Sequence, residues 1–523
     1  MDLATALRWS AERYPQRRAV GGRDPLTYAQ WDARTERVAH ALHGLGAGEG
    51  TRAVFLLGGG EPLATLHLGA QKARVTSLPL STRLGVDELA FCIGDCDPAL
   101  IAVDEATQEI VTQALERVEN PPPVVWAGNP GDAPTGTPSV WHAAQRAAGS
   151  PVPVVPGDDD VSVMLYTSGT TGRPKGVPRT HRAEHHAALA HLVQTGHAPG
   201  EVTLGVMPLF HTMGLRSLLA SVLAAGTWVP QAGFDAEQTL DLIAAEQVSA
   251  LYLVPTIYWS LLQTGRFEES TSVRRLAYAG AAMTPFVAER LAQSLRPERF
   301  VNHFGSTEIY TFTIGPEGAA KPGCAGRAGL FSRVRLVDPR PDASPDEVVA
   351  QGETGQVAVS MRSPEAFAGY WRRPDADRKA IRDGWYFTGD LATTDEDGDL
   401  WVTGRVDDMI NSGGENIYPG EIEDALAASP DLDEVVVVGT PHERWGQAVT
   451  AFVVSTSGDE PAETVAKLDL FARESSGLPS LKRPKRIVVV DQIPKSAVGK
   501  VLRRQLTAGE FVALADSADG PAQ

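Results

Sequence analysis

Cysteine is scarce in this chain, with three residues in 523. Cys92, Cys96 and Cys324 show neither the pairing of a disulfide framework nor the spacing of a zinc site, and we interpret Cys92 and Cys96 as buried, reduced thiols. No apolar run is long enough to cross a bilayer, and the N-terminal stretch lacks the apolar centre of a signal peptide. We therefore expect a cytoplasmic protein without a membrane-spanning segment.

Positive charge is also in deficit, since 47 Lys and Arg face 65 Asp and Glu for a net charge of −18. Such a balance argues against non-specific binding to nucleic acid or to an anionic membrane. An anionic small molecule remains compatible with it, because local basic sites can lie within an acidic surface. The length suits one large domain and one small one, and the 43% of hydrophobic residues allow a sizeable core.

The chain has no Walker A loop, yet residues 166–177 read YTSGTTGRPKGV and follow an apolar, strand-like run. Glycines let backbone N–H groups converge on one point, hydroxyls add donors, and a lysine adds positive charge. That combination predicts a site for a polyphosphate. Its candidate residues are Thr167, Ser168, Gly169, Thr170, Thr171, Gly172 and Lys175.

The N-terminal part alternates between strand-like and helical patterns. Apolar runs at 52–57, 75–80 and 99–103 read as strands, and a helical pattern at 63–73 separates the first two. This alternation predicts an α/β fold with a mostly parallel, doubly wound sheet. Thr27 and Gln30 have the spacing of a helix capping box. We interpret the Pro- and Gly-rich segment 120–157 as loops around one short strand at 124–126.

Four segments together carry a family resemblance. The string at 166–177, HFGSTE at 303–308, GWYFTGD at 384–390 and PKSAVGK at 494–500 resemble, in order, the motifs of the acyl-adenylate-forming superfamily. The resemblance spans nearly the whole chain. It implies a large multi-sheet N-terminal domain at 1–404 and a small, mobile α+β domain at 408–523. Residues 405–407 resemble the family hinge, in which Asp407 absorbs the backbone rotation.

The same resemblance assigns roles around ATP. Thr307 donates to the α-phosphate, Glu308 binds Mg²⁺, and Asp390 accepts hydrogen bonds from both ribose hydroxyls. Arg405 reaches the ribose or a phosphate, and Lys500 matches a mobile lysine that acts during adenylation. The other nucleotide-binding candidates are Gly280, Ala281, Ala282, His303 and Phe304.

Further candidates concern the acid and the thiol. His211, Tyr252, Gly305 and Ile309 are predicted to border the acyl group. The segment 208–214 has no acidic residue to hold an amino-acid ammonium, which disfavours an amino-acid substrate. Gly413 and Gly414 are predicted to line the pantetheine channel of CoA. The residues predicted to dock the rest of the molecule are Trp445, Arg483, Lys485 and Arg83.

The resemblance implies a ligase that uses ATP, Mg²⁺ and coenzyme A, and it is strongest to aryl-CoA ligases such as 4-chlorobenzoate–CoA ligase. An aromatic or cyclic carboxylate is the expected substrate. Three alternatives stay open: loading of a carrier-protein phosphopantetheine, a half-enzyme that accepts a preformed acyl-adenylate, and a non-catalytic adenylate-binding protein. A homodimer also stays open.

Overall fold

A computed structural model describes residues 1–150, 152, 155–167, 173–316, 318–412, 415–456, 458–495 and 501–517. The chain divides into two compact units. The first comprises Met1–Val334 and Val359–Tyr386, and the second comprises Arg335–Ala358 and Phe387–Gln523.

Helices and strands occur along the whole described chain. The helices are α1 (Leu3–Arg13), α2 (Tyr28–Gly44), α3 (Glu61–Lys72), α4 (Val86–Cys96), α5 (Gln108–Leu115), α6 (Val140–Arg146), α7 (His181–Thr195), α8 (Thr212–Leu223), α9 (Ala236–Glu246), α10 (Pro255–Gln263), α11 (Pro285–Leu295), α12 (Pro374–Ala380), α13 (Pro419–Leu426), α14 (Pro461–Glu474) and α15 (Arg503–Ala508). The strands are β1 (Arg18–Val20), β2 (Leu26–Thr27), β3 (Arg52–Leu56), β4 (Thr76–Pro79), β5 (Leu100–Val103), β6 (Val124–Trp126), β7 (Val161–Thr167), β8 (Lys175–Thr180), β9 (Val202–Gly205), β10 (Thr227–Pro230), β11 (Ala250–Leu253), β12 (Arg275–Ala279), β13 (Arg299–Phe304), β14 (Thr313–Ile314), β15 (Arg327–Ala328), β16 (Val334–Val337), β17 (Gly355–Ser360), β18 (Ile381–Arg382), β19 (Trp385–Thr394), β20 (Leu400–Arg405), β21 (Ile410–Ser412), β22 (Glu415–Ile417), β23 (Leu432–His442), β24 (Gly446–Ser455), β25 (Arg486–Val490) and β26 (Ala513–Asp516).

Two large sheets organise the first unit. Over the described residues, one has the order β6-β5-β3-β4-β7-β8 and the other the order β15-β14-β13-β12-β11-β9-β10-β1-β2. Pairing is parallel from β6 to β7 and from β13 to β1, and antiparallel strands complete the edges. Helices link the successive parallel strands, since a parallel pair needs a crossover segment between its strands. The predicted α/β class with several sheets is therefore confirmed.

Local sequence signals account for many helix ends. Thr27 and Gln30 form the predicted capping box of α2, in which the Thr27 side chain accepts from the Gln30 backbone and Gln30 reaches back. Pro419 opens α13 at the position that needs no N–H donor, and Ile422 and Leu426 of that helix are buried.

One sequence interpretation was wrong. Residues 120–157 contain the predicted strand β6 but also the helix α6, which Ser139 caps by accepting from the backbone N of His142. Trp141 is largely buried, and its indole N–H donates to the Ala127 carbonyl at 2.7 Å. Burial of this one aromatic ring orders a segment whose composition is that of a loop.

The remaining sheets lie later in the chain. Their described strands run β16-β17-β19-β18, with β20 beside β19, and β22-β21-β24-β25-β26, with β23 beside β24. The second of these sheets packs on α13 and α14 around a separate apolar core. Among the described residues no helix has the length and apolarity to cross a membrane.

The two cysteines interpreted as buried thiols lie on α4, and both are fully buried. Burial raises the pKa of the Cys92 thiol above its usual range. Burial also raises the pKa of the Cys96 thiol, to about 12. Both thiols therefore stay protonated and act as packing groups.

Candidate active site

The carboxyl ends of the parallel strands gather many of the predicted site residues at one edge of the nine-stranded sheet. Tyr252 lies near the end of β11, Gly280 follows β12, and His303 and Phe304 end β13. His211 follows β9 and caps α8, where its Nδ1 accepts from the backbone N of Met213 at 3.3 Å. Ligands of open α/β sheets bind at this kind of edge.

The turn after β12 is open to solvent. Gly280 has a φ of +87°, a conformation that favours glycine, and Gly280, Ala281 and Ala282 are all exposed. Their small side chains leave the backbone accessible, which suits contact with a flat ring.

The segment after β13 is tightly built. A Cβ at Gly305 would lie 2.1 Å from the carbonyl oxygen of Tyr310, so no larger residue fits there without a backbone shift. Ile309 is fully buried, and Phe304 is half-buried with its ring edge-on to Phe312 at 5.2 Å. The close packing fixes the course of the chain through Thr307 and Glu308.

Glu308 is largely buried, and its carboxylate is held in place. The hydroxyl of Tyr370 donates to Oε1 of Glu308 at 2.7 Å, and Nζ of Lys175 lies 4.4 Å from the centre of the Tyr370 ring. Tyr370 thus connects the predicted Mg²⁺ ligand with the predicted phosphate-binding lysine. No cation of the described chain lies within ion-pair distance of this carboxylate. A hard, oriented and unneutralised oxygen donor fits a Mg²⁺ ligand.

A buried arginine that the sequence analysis missed supports the same segment. Nη1 of Arg179 donates to the carbonyl oxygens of Thr307 and Glu308, both at 3.1 Å, and to that of Glu365 at 3.0 Å. Nε of Arg179 forms an ion pair with Glu184, and both side chains are fully buried. The only signal in the sequence was an arginine in the strand-like run directly after the phosphate loop.

A second buried arginine, Arg216 on α8, contacts the predicted acyl residue Tyr252 and the predicted nucleotide-binding residue His303. Its Nη1 donates to Nδ1 of His303 at 3.1 Å and to the hydroxyl of Tyr252 at 3.4 Å. Burial, and then the charge of Arg216, lowers the pKa of His211 to about 4. The imidazole of His211 is therefore neutral near pH 7 and can act only as a neutral hydrogen-bonding group.

In the second unit, Asp390 and Arg405 are paired across neighbouring strands. They oppose each other in the β19–β20 ladder, and Nη1 of Arg405 lies 2.8 Å from Oδ1 of Asp390. The backbone N of Asp390 donates to Oγ1 of Thr388 at 2.9 Å, and Gly389 has a φ of +80° that turns the chain there. Asp407 is exposed in a single turn after β20.

The predicted CoA-docking residues of the second unit form a cluster of rings and cations. The Trp445 ring stacks on His442 at 4.3 Å, and Nζ of Lys485 lies 5.9 Å from the Trp445 centroid. Arg444 lies 5.7 Å from the same ring, and Nε of Arg483 donates to the Leu478 carbonyl at 2.9 Å. Such a cluster can bind a flat base and its phosphates.

Some predicted residues are placed less informatively. Arg83 is exposed in the first unit, where its backbone N donates to Oγ of Ser81 at 3.3 Å. Thr167 ends β7. The remaining predicted residues lie outside the described ranges: Ser168, Gly169, Thr170, Thr171, Gly172, Gly413, Gly414 and Lys500.

Comparison with known proteins identifies the family of this chain. The family described as AMP-binding enzyme matches residues 7–371, and the AMP-binding enzyme C-terminal domain matches residues 421–500. Feruloyl-CoA synthase of Amycolatopsis sp. is 34% identical over 93% of this chain and 94% of its own length. The 4-chlorobenzoate–CoA ligase of Arthrobacter sp. is 33% identical over 95% of this chain and 93% of its own.

A solved structure extends the agreement to the fold. ATP-bound MatB from Rhodopseudomonas palustris superimposes with a TM-score of 0.85 at 29% identity, over 97% of this chain and 99% of that one. This chain belongs to the AMP-binding enzyme family, in the acyl- and aryl-CoA ligase branch of the acyl-adenylate-forming superfamily, and it is an AMP-forming acid–thiol ligase.

Proposed function

We propose that this enzyme activates an aromatic or cyclic carboxylic acid as its acyl-adenylate and then transfers the acyl group to coenzyme A. The observation that carries the proposal is the Glu308–Tyr370–Lys175 arrangement. Tyr370 donates to the carboxylate that would hold a metal, and the face of its ring contacts the ammonium that would hold a phosphate, shortly after the predicted polyphosphate loop.

In the first half-reaction, an oxygen of the substrate carboxylate attacks the α-phosphorus of ATP. The bond from that phosphorus to the bridging oxygen breaks, and pyrophosphate leaves. Two anions must meet, so catalysis depends on positive charge and donors where negative charge grows. Thr307 donates to the α-phosphate, Lys175 and the 167–172 loop hold the leaving phosphates, and Lys500 adds charge during this step.

Glu308 is the residue that would hold Mg²⁺, with Tyr370 keeping its carboxylate in one orientation. When bound, the ion neutralises phosphate charge and so lowers the barrier to attack by an anion. Arg179 contributes indirectly, because it ties the backbone of Thr307 and Glu308 to a buried ion pair.

The residues that we assign to the nucleoside are Asp390, Arg405, Phe304 and the turn at 280–282. Asp390 accepts from the ribose hydroxyls, and Arg405, which already donates to Oδ1 of Asp390 at 2.8 Å, orients that carboxylate. The exposed turn at 280–282 lies against the adenine, and Phe304 stacks on a planar group of the ligand.

In the second half-reaction, the CoA sulfur attacks the acyl carbonyl carbon, and the bond from that carbon to the AMP oxygen breaks. The thiol proton is released, and AMP leaves. Residues 405–407 act as the hinge between domains at 1–404 and 408–523, and rotation at Asp407 exchanges Lys500 for the loop of Gly413 and Gly414. Trp445, Arg483 and Lys485 bind the nucleotide end of CoA.

An aromatic or cyclic acid is favoured by the rings at the strand edge. Tyr252, His303 and His191 lie with their ring centroids 4.8–5.2 Å apart. Arg216 contacts Tyr252 and His303, and it lies on the helix that the predicted acyl residue His211 caps. Two relatives are named for aromatic acids, feruloyl and 4-chlorobenzoate.

The test is a panel of carboxylic acids assayed for ATP-dependent pyrophosphate release and for CoA-thioester formation, beside thioester formation from preformed acyl-adenylates. We expect both products with aromatic acids and neither with amino acids. Pyrophosphate without thioester would favour a carrier-protein acceptor, and thioester from adenylates alone would favour a half-enzyme. If neither pyrophosphate nor thioester forms in any of these assays, the proposal is contradicted.

A further inference from the structure

The side chain of Arg216 is almost fully buried, and its two hydrogen bonds determine the protonation of its neighbours. A guanidinium only donates, so Nδ1 of His303 must accept the bond from Nη1 at 3.1 Å. The neutral His303 ring then carries its proton on Nε2. By the same argument, the Tyr252 oxygen accepts from Arg216 at 3.4 Å, so its own O–H still needs an acceptor.

Neither proton finds an acceptor among the described residues. Nε2 of His303 is buried without a hydrogen-bond partner, and so is Nε of Arg216. The adjacent His191 does not serve, because both of its ring nitrogens also lack partners, although its ring packs 5.2 Å from that of His303. Buried donors without acceptors cost stability and are rare in proteins, so an oxygen acceptor is expected here.

Sheet geometry places these donors at the ligand edge. His303 pairs with Ala279 and Tyr252 with Ala277, and the small alanines of β12 let the two flanking rings approach to 5.2 Å. Both rings lie near the carboxyl ends of their strands, and Arg216, which contacts both, lies on the helix α8 that His211 caps. Burial and the charge of Arg216 hold the pKa of His303 well below its usual range, so the ring stays neutral.

Among the residues that the structure describes, Arg216 has no ion-pair partner at close range, and the buried carboxylate of Glu365 interacts with its charge only from a greater distance. No carboxylate of the described chain lies within 4 Å of its guanidinium, whereas the buried Arg179 is paired directly with Glu184. The positive potential of Arg216 therefore favours an electron-rich oxygen beside the two donors.

We propose that His303 and Tyr252 donate to an oxygen acceptor at the distal end of the acyl substrate, with Arg216 as the positioning residue that fixes both donors. The substrate is then an acid that bears a second polar oxygen, either a ring hydroxyl or a second carboxylate. This rests on the proposed acyl site. It moves His303 from the nucleotide, where the sequence resemblance put it, to the acyl group.

Paired acids test the proposal: benzoate against 4-hydroxybenzoate and against terephthalate, and cinnamate against 4-hydroxycinnamate. In each pair the wild-type enzyme should prefer the oxygen-bearing acid by about 10- to 100-fold in kcat/KM for pyrophosphate release. The two substituents separate a neutral hydroxyl from an anionic carboxylate. A preference close to one in every pair overturns the proposal.

Variants assign the preference to these residues. His303→Leu should bring the ratio within a pair close to one while leaving KM for ATP unchanged, and His303→Gln, which keeps an N–H donor, should retain part of it. Arg216→Met should lower the ratio in the same direction through the acid's KM. The exposed His142→Leu is the matched control and should keep the wild-type ratio. An unchanged ratio in His303→Leu would contradict the role of this ring.

Calorimetric binding of the same pairs separates failure of this proposal from failure of the proposed function. If the oxygen-bearing acid binds more tightly but no pyrophosphate is released, the acid is not a ligase substrate and the proposed function fails, whereas the polar recognition site stands. Pyrophosphate release without any preference would keep the ligase and remove the polar site.

Discussion

The hydroxyl of Tyr370 lies 2.7 Å from Oε1 of Glu308, and the two residues are 62 positions apart in the chain. The ring of the same tyrosine faces Nζ of Lys175 at 4.4 Å. One side chain therefore sets the orientation of a carboxylate and borders an ammonium. A hydrogen bond to one oxygen of a carboxylate orients the other oxygen toward a metal ion, so Tyr370 would orient Glu308 as a metal ligand.

Tyr370→Phe should weaken adenylation about 10- to 100-fold and raise the Mg²⁺ concentration needed for half-maximal pyrophosphate release, because Glu308 loses its orienting bond. A Mg²⁺ titration at saturating ATP measures both effects. Tyr28→Phe is the matched control, since its hydroxyl also donates to buried carbonyls, at 2.8 and 3.1 Å, away from the site. That variant should lower thermal stability only. An unchanged Mg²⁺ dependence in Tyr370→Phe would contradict the role given to this tyrosine.

Arg179→Met should lower the free energy of unfolding by about 3–5 kcal/mol, because it leaves Glu184 as a buried, unpaired charge and frees three carbonyl groups. Urea denaturation measures the loss. The control is Arg182→Met, whose ion pair with Asp159 is exposed and should leave the unfolding midpoint unchanged. Equal midpoints for the Arg179 variant and the wild type would show that the buried pair does not anchor this segment.

Stability should also fall in mild acid. Burial lowers the pKa of His181 to about 4 and that of His67 to about 3, against 6.5 for an exposed histidine. Between these values and 6.5 the unfolded chain binds protons that the folded chain does not. The free energy of unfolding is therefore complete above about pH 6.5 and falls as pH decreases, by about 1.4 kcal/mol per pH unit for each such histidine.

The pH prediction is checked by urea midpoints at pH 7, 6 and 5. His181→Asn should make the fall in urea midpoint with decreasing pH less steep, because asparagine does not titrate. In the wild type, Nδ1 of His181 accepts from the backbone N of Leu3 at 3.3 Å. The exposed His142→Asn should keep the wild-type slope. Midpoints that stay constant from pH 7 to 5 would contradict the burial of neutral imidazoles.

The sequence predicted features that depend on near neighbours in the chain. The capping box at Thr27 and Gln30, the Pro419 helix start and the strand at Val124–Trp126 each follow from residues a few positions apart. The helix α6 was missed because a single buried ring, Trp141, outweighs a loop-like composition.

Long-range contacts were not predictable in the same way. Arg179 supports Thr307 across 128 positions and Arg216 meets His303 across 87, and neither arginine belongs to a motif. Their roles come from which side chains two sheets and their covering helices bring together. The motifs indicated which residues contact ATP. The packing of the sheets and helices around those motifs adds the residues that hold the motif side chains and backbone in place.

Asp390→Asn should raise KM for ATP about 10- to 100-fold, since an amide offers one acceptor oxygen without charge to the two ribose hydroxyls and loses the ion pair to Arg405. Steady-state pyrophosphate release at varied ATP measures the change, and KM for the acid should move less. Asp397→Asn, in the exposed turn between β19 and β20, is the control and should behave as wild type. A normal KM for ATP in Asp390→Asn would remove this residue from the ribose site.

The central claim is that one chain performs two half-reactions with different residues, and Lys500→Ala tests it most directly. Pyrophosphate release from ATP and the acid is measured beside thioester formation from the preformed acyl-adenylate and CoA. Lys500→Ala should slow the first reaction by about 100- to 1000-fold, because the negative charge that develops on phosphate loses its partner, and should leave the second reaction near the wild-type rate. Equal loss of both half-reactions, or of neither, would contradict the central claim.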